Sequence, residues 1–519
     1  MIRTSAQYHQ QTSYKRHEMT GHFLDWENQP TVFKTYPGVT PVQLPGEMQF
    51  PDTTLCNLLK EDPARNRTPL SLGIEDISRI LMLTCRLTAR ARHANGEFHY
   101  RSAASAGALY PTEIYVAPQG VNNIEDGLYH FSIAHHGLSL LRKGNLSPWI
   151  VKATQPMSIK TPLLTFFFSA IFFRSAWKYR DRSYRYHLLD TGHVLENLTL
   201  AFKAVNLPHT ISYDFDDYEV NRLLGLDDFK EVSLALCQIP GNSPLQGQTD
   251  EGIDEIPDHM KTASRVAHKE IDYPAIREIH TAGVKKIFPS EPAAQMVHEL
   301  GVSPDTWSKI EAPPTWPETT GYAETVFGRR SRRNFVPEPI SQACLFALLD
   351  ALCTTESESN STSSNPYQSI STGFIIGRAQ GFEPGFYLLD SFSESYGIIS
   401  LESIVERMTH VCLDQAWLAN AAVHFVFMTN LHTLDRVWGA RGYRYAMMTA
   451  GMMGERLYLA AETMGLGCCG IGAFYDFEAA KILNLNTESR LLYLVAVGVV
   501  KGLKRIRSPL SVYRLKKGP

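Results

Sequence analysis

The chain has 519 residues, too many for one compact core and enough for two domains that each bury an apolar interior. Lys+Arg number 50 against Asp+Glu 53, and no basic run carries interleaved aromatics, which excludes nucleic acid as a partner class. Eight cysteines without CxxC spacing or a CxH ladder exclude a disulfide framework and a zinc site, so no metal is expected and a reducing cytoplasm is the expected location.

The N-terminus, MIRTSAQYHQQTSYKRHEM, has no apolar core of signal-peptide type. Residues 1–60, rich in Pro, His and Tyr without periodicity, read as an irregular arm that wraps a neighbour. A first domain over 61–241 opens with an amphipathic helix, Ile74 to Leu83, whose Ile77, Ile80 and Leu81 recur at helical spacing. Strands follow at Glu113 to Val116 and Leu164 to Phe173. The apolar stretch there is about half the roughly 20 residues a membrane helix needs, so a buried strand is expected and no membrane. A long helix, Tyr184 to Val205, ends before Pro208, and a strand from Val232 to Ile239 closes the domain.

Residues 242–324 read as a polar connection with short helical pieces at Pro274 to His280 and Ala293 to Leu300. A second domain over 325–519 repeats the order: helix Ser341 to Leu352, strand Ala422 to Met428, helix Tyr443 to Met464 and strand Leu491 to Val500. The Ser-rich segment Thr354 to Ser371 is low in complexity and reads as a loop. Helices flank non-adjacent strands without strict alternation, so the fold class expected is α+β.

The two domains are copies. Tyr184-Arg185-Tyr186 recurs as Tyr443-Arg444-Tyr445, and one offset of 259 also links Arg182 to Arg441, Gly192 to Gly451, Glu196 to Glu455, Phe215 to Phe474 and Asp217 to Asp476. Gly127-Leu128-Tyr129 and Gly385-Phe386-Tyr387 extend the match upstream. A period this long means a duplicated domain, because solenoid repeats run at roughly 20 to 50 residues. The differences between copies then point to the chemistry.

Three segments appear in one copy only. Arg329-Arg330-Ser331-Arg332-Arg333 is a dense donor set matched to a phosphate; by composition it reads equally as a solvated basic turn. Aligned with it in the first copy is Leu59-Lys60-Glu61-Asp62-Pro63, whose carboxylates repel phosphate. The second segment, Gly465 to Gly472, matches GxGxxG but follows a helix and precedes a strand, which is the wrong context for a dinucleotide fingerprint. Its glycines allow close approach of the backbone to a flat group, with N–H groups free to donate. Ile211 and Tyr213 replace Gly470 and Gly472 in the first copy. The third, Arg101 to Pro111, is a small-residue loop through Ser105-Ala106-Gly107, and its pattern is lost in Ser363 to Ser369.

Together Arg-Ser-x-Arg-x-Phe, the Gly-Ile-Gly after a Leu-Tyr-Leu-Ala-Ala-Glu helix, and Ser-Ala-Gly-Ala-Leu-Tyr-Pro resemble the flavin-dependent nitroreductase superfamily. The first copy more narrowly resembles its azoline dehydrogenase branch, of SagB/McbC type. The resemblance covers nearly all of 70–240 and 325–505. It implies a fold in which two copies form a dimer with FMN at the interface, here an intramolecular pseudo-dimer. One copy would supply Arg329, Arg330, Ser331 and Arg333 for the phosphate and Cys469, Gly470, Ile471 and Gly472 for the ring. Arg101, Ser105, Ala106, Gly107 and Leu109 would come from the other copy, and Lys501 and Arg505, past the last strand, would add phosphate contacts. One FMN per chain is implied, and the opposite combination should be empty.

Trp177-Lys178-Tyr179 resembles the Lys-Tyr pair with which azoline dehydrogenases remove a proton, which implies Lys178 and Tyr179 as catalytic. Free Lys and Tyr titrate at about 10.4 and about 10 and need shifting to act near neutrality; Arg174, Arg180, Arg182 and Arg185 are near in sequence and expected to depress Tyr179. The aligned Val437 and Trp438 cannot do this work. The reading is oxidation of an azoline-like or other C–N substrate, a small molecule or a peptide, by hydride transfer to flavin N5. The alternatives are an NAD(P)H-dependent nitro or quinone reductase and a non-catalytic flavin-binding scaffold.

Overall fold

The computed structural model of the protein describes residues 1–19, 21, 23–60, 71–93, 96–155, 159, 161–241, 256–284, 295–353 and 365–502. Arg505, Lys504, the Glu61–Pro63 segment and most of the Ser-rich stretch lie outside the described residues.

In the first half the strands are β1 (Val42–Gln43), β2 (Leu87–His93), β3 (Gly96–Arg101), β4 (Thr112–Pro118), β5 (Gly127–Ser132), β6 (Gly137–Lys143), β7 (Pro162–Ile171), β8 (Thr210–Ser212) and β9 (Glu231–Pro240). Seven form one sheet in the order β1-β6-β5-β4-β7-β9-β8, while β2 and β3 make a separate hairpin. The second half gives β10 (Ser308–Lys309), β11 (Ser371–Ile376), β12 (Gly385–Asp390), β13 (Ser395–Ser400), β14 (Val423–Asn430), β15 (Gly467–Ile471) and β16 (Ser489–Gly498). Their order, β10-β13-β12-β11-β14-β16-β15, is the same. The continuous apolar runs of β7 and β14 are central strands buried on both faces, which explains why they do not alternate. Two sheets flanked by helices make the α+β class expected from the sequence.

Several boundaries differ from expectation. The strand read as Leu164 to Phe173 stops at Ile171, and Phe172–Tyr179 is a helix. The glycine segment read as following a helix and preceding a strand is itself largely an edge strand, β15, paired to β16. No helix among the described residues is long and apolar enough to cross a membrane.

The helices Ser183–Ala204 and Gly442–Thr463 are buried on nearly all faces because they pack on each other between the sheets. They cross at Gly192 and Gly451. A Cβ at Gly192 would fall 2.1 Å from the Met448 carbonyl oxygen and 2.9 Å from the Gly451 Cα, and a Cβ at Gly451 would fall 2.2 Å from the Leu189 oxygen. Only glycine admits this approach, which is why both copies keep it.

The contact is isologous, as a two-fold interface requires. Arg182 and Arg185 donate to Asp476 at 2.7 and 2.6 Å, and their counterparts Arg441 and Arg444 donate to Asp217 at 2.6 and 2.5 Å. Burial raises both carboxyls, but the paired guanidiniums outweigh it: Asp217 sits at about 2 and Asp476 well below the carboxylate range.

The duplication also reaches further than the sequence matches. His9, on helix Ser5–Gln11, bonds Tyr443 at 3.0 Å, and His280, on helix Pro274–Ala282, bonds Tyr184 at 3.2 Å. Arg182 donates to the Thr12 carbonyl and Arg441 to that of Gly283. Edge strands β1 and β10 pair with β6 and β13 in the same way. Residues 274–283 and 308–309 of the stretch read as an inter-copy connection are therefore the second copy's counterpart of the first arm. Its likeness to the first arm is carried by one histidine and by carbonyl groups, which leave no trace in side-chain identity.

Candidate functional site

Helix Phe172–Tyr179 follows β7 directly and carries Lys178 and Tyr179 on its last turn. Opposite lies the Arg101–Tyr110 loop, in which Gly107 (φ 67°), Ala108 (φ 55°) and Tyr110 (φ 48°) take left-handed conformations. Such backbone is costly for the two side-chain-bearing residues. It turns Gly107 to the helix end: a Cβ there would stand 2.9 Å from Tyr179 Oη and 3.3 Å from Lys178 Nζ.

The second copy completes the site. Tyr179 packs on Tyr186 with ring centroids 4.4 Å apart, and Tyr186 Oη and Arg182 Nη2 both donate to the Gly472 carbonyl, at 3.1 and 3.0 Å. Arg333 is exposed, hydrogen-bonds Cys469 and brings its charge to both Lys178 and Tyr179. Ser331 is exposed and shares a 2.9 Å bond with Tyr458. Residues 331–333 and 469–472 of one copy thus face 105–108, Lys178 and Tyr179 of the other.

The remaining expected ligands are placed differently. Arg329 is 3% exposed and donates to the carbonyls of Ser102 and Arg101, leaving Nη1 unpartnered. Arg330 donates to Phe327, Arg329 and Thr88 carbonyls. Arg329 therefore fastens the first copy's loop, and Arg330 its strand β2, to the second copy. Arg101 is buried over Tyr110 and donates to the Val32 carbonyl. Leu109 and Ile471 are packed in apolar clusters. Lys501 is exposed, and its N–H bonds the Asn334 carbonyl. Ser105 and Ala106 are turned to Asp190.

Two expectations are corrected. The Gly470 N–H is not free to donate, because the Tyr458 hydroxyl accepts it at 2.7 Å. Gly470 is needed instead for space, since a Cβ would lie 1.8 Å from Tyr493 Oη. Nor is Tyr179 depressed by its neighbouring arginines. Arg174 is engaged by Glu113, and Arg182 and Arg185 by Asp476. Burial, then Asp190 and Tyr14, push Tyr179 up. Lys178 moves the other way: burial and then the Arg333 charge lower its pKa. The two shifts thus favour a neutral amine on Lys178 and a neutral phenol on Tyr179.

Sequence reasoning missed four participants. Tyr14 reaches the site from the arm, under the Arg182 guanidinium at 4.3 Å. Tyr186, Asp190 and Tyr458 lie on the long helices, where nearly every position is buried and no periodicity marks a functional residue. The signal for Asp190 is its counterpart Thr449, a difference between the copies.

The opposite combination is filled. Tyr213, at the place of Gly472, is 4% exposed and donates to Met452 Sδ at 3.3 Å. Trp438, at the place of Tyr179, is 1% exposed and meets Tyr445 edge-on at 6.2 Å, and Tyr445 in turn bonds Asp214.

The groups facing the first combination fit a flat, phosphate-bearing anion. Ser331 and Arg333 are exposed, Arg332 Nε has no partner, and a side chain at Gly107 would obstruct the Lys178–Tyr179 pair.

The model of the nitroreductase family matches residues 74–239 and 326–499. The chain is 30% identical over 177 residues to the trifolitoxin-processing protein TfxB of Rhizobium leguminosarum bv. trifolii, covering 32% of this chain and 47% of that protein. It is 25% identical over 148 residues to the microcin B17-processing protein McbC of Escherichia coli, covering 27% and 54%. The matches thus span about half the length of these curated relatives. A crystal structure described as a nitroreductase from Anabaena variabilis superposes with a TM-score of 0.75 at 25% identity, over 96% of this chain and 100% of that one.

Proposed function

We propose, from the premise that the chain belongs to the nitroreductase family, that it is an FMN-dependent oxidoreductase with one composite site. The substrate would be an azoline-like ring or other C–N compound, free or within a peptide. The observation that carries this reading is the convergence of Arg333 and Cys469–Gly472 from one copy on Gly107, Lys178 and Tyr179 from the other. The kinship with proteins described as processing trifolitoxin and microcin B17 supports the dehydrogenase branch.

Ser331 and Arg333, with Arg332, would hold the phosphate, and 105–108 and 469–472 would border the ring. When bound, FMN supplies a two-electron acceptor that takes a hydride at N5. The chain's own residues manage the proton. Lys178, lowered by burial and by Arg333, has a larger neutral fraction than an exposed lysine and takes the C–H proton next to the carbon that gives up hydride, so that a double bond forms between them. Tyr179 keeps its proton and donates a hydrogen bond to the ring heteroatom. Tyr14, Tyr186 and the loop restrict water at that point.

The test is anaerobic mixing of the FMN-loaded protein with an azoline-bearing peptide. Bleaching of the flavin, with loss of two hydrogens from the peptide, is expected in the wild type. Lys178→Ala should keep FMN and lose bleaching. Bleaching by NAD(P)H but by no azoline would overturn the dehydrogenase reading.

A further inference from the structure

We propose that Asp190 is a positioning residue of this site: its carboxylate holds residues 105–108 in the strained conformation that sets Gly107 against Lys178 and Tyr179. Its bearing on catalysis rests on the flavin reading above; the hold on the loop does not.

The geometry is built for an ionised acid. Ser105 Oγ donates to one oxygen at 2.5 Å, and the Ala106 N–H donates to the two oxygens at 3.1 and 3.3 Å. Ser105 Oγ accepts from the Tyr110 N–H at 2.9 Å, so its own hydrogen is committed to Asp190. A directional chain therefore runs from Tyr110 through Ser105 to the carboxylate, spanning the left-handed residues Gly107 and Ala108. Adding a proton to the oxygen that accepts from Ser105 sets donor against donor in a buried site.

No cation is paired with Asp190 among the described residues. The titratable groups within its reach are Tyr179 from helix Phe172–Tyr179 and Tyr493 from β16, both raised by burial and neutral. On its own helix, His187 is held neutral at about 3 by burial. Asp190 is accordingly raised by burial to about 7, against which Ser105 and Ala106 work. The second copy, whose own loop has lost the pattern, carries Thr449 at this place, so the acid occurs only where there is a loop to hold.

Hydrogen exchange of the whole chain without flavin tests the hold. After correction for the intrinsic pH dependence of exchange, wild-type amides in 105–110 should lose protection by up to about tenfold between pH 8 and pH 6, the limit set by one proton on a group that titrates near 7. Asp190→Asn, which mimics the protonated acid, should exchange at the wild-type pH 6 level at both values. Wild-type protection that does not change with pH would overturn the proposal without any variant, as would an Asn variant that still follows pH. FMN titration then reads the link to the cofactor: the variant should bind about tenfold more weakly than wild type at pH 8 and equally at pH 6, a comparison in which the titration of the phosphate cancels. If neither protein binds FMN while the exchange difference persists, the flavin reading fails and the positioning role stands.

Discussion

At the scale of single residues the decisive pair is Lys178 and Arg333, which come from different copies. A base works as the free amine, so activity should rise with pH through the Lys178 pKa, on a limb lying below the ordinary lysine range because burial and Arg333 lower that pKa. Replacing Arg333 by Gln removes a cation that disfavours the ammonium, so the limb should move to higher pH when measured at saturating FMN. An unmoved limb would separate Arg333 from the base. Tyr179→Phe should keep the limb and lower the plateau, because the phenol is raised by burial and remains protonated throughout. Lys178 and Tyr179 could be singled out in the sequence, but the direction of their shifts could not. The arginines close to Tyr179 along the chain are engaged elsewhere, and the cation that matters lies 154 positions away from it, in the other copy.

Among the elements, the two long helices and the arms form the frame that fixes the site. Asp217 and Asp476 each neutralise two buried guanidiniums, so Asp476→Asn should leave Arg182 and Arg185 uncompensated and cost about 3–5 kcal/mol, read by urea unfolding. The sign with pH follows from the depressed pKa of Asp217, about 2 when folded. Its contribution should be complete above the unfolded value of about 4 and lost as pH falls toward 2. Asp190 has the opposite sign: raised to about 7, its ionisation weakens the fold as pH rises from about 4 to 7. Asp190→Asn should therefore unfold at higher urea than wild type at pH 8 and at the same urea near pH 4. The helices, the strands and the glycine crossing were readable because the interface constrains each residue in both copies. The second copy's arm was not, because it attaches largely through main-chain carbonyls and one histidine.

Across the whole molecule, duplication inside one chain has let two equivalent interfaces diverge. One keeps Gly107, Lys178, Tyr179 and Gly472 around an accessible basic patch; the other has closed over Tyr213, Trp438 and Tyr445. A homodimer would have to keep both sites alike, whereas a tandem chain can retain one and use the second as packing. Filling the live site should therefore abolish flavin binding altogether: Gly107→Trp is expected to leave the chain folded and flavin-free. Opening the dead one with Tyr213→Gly should lower stability without creating a second site, because the residues aligned with Arg333 and Lys178 are Pro63 and Val437. The most direct measurement is the molar ratio of FMN released on denaturation to protein, in chain saturated with FMN and freed of excess. The single composite site requires a ratio near one in the wild type and near zero in Gly107→Trp; a ratio near two, or one that survives Gly107→Trp, would contradict it.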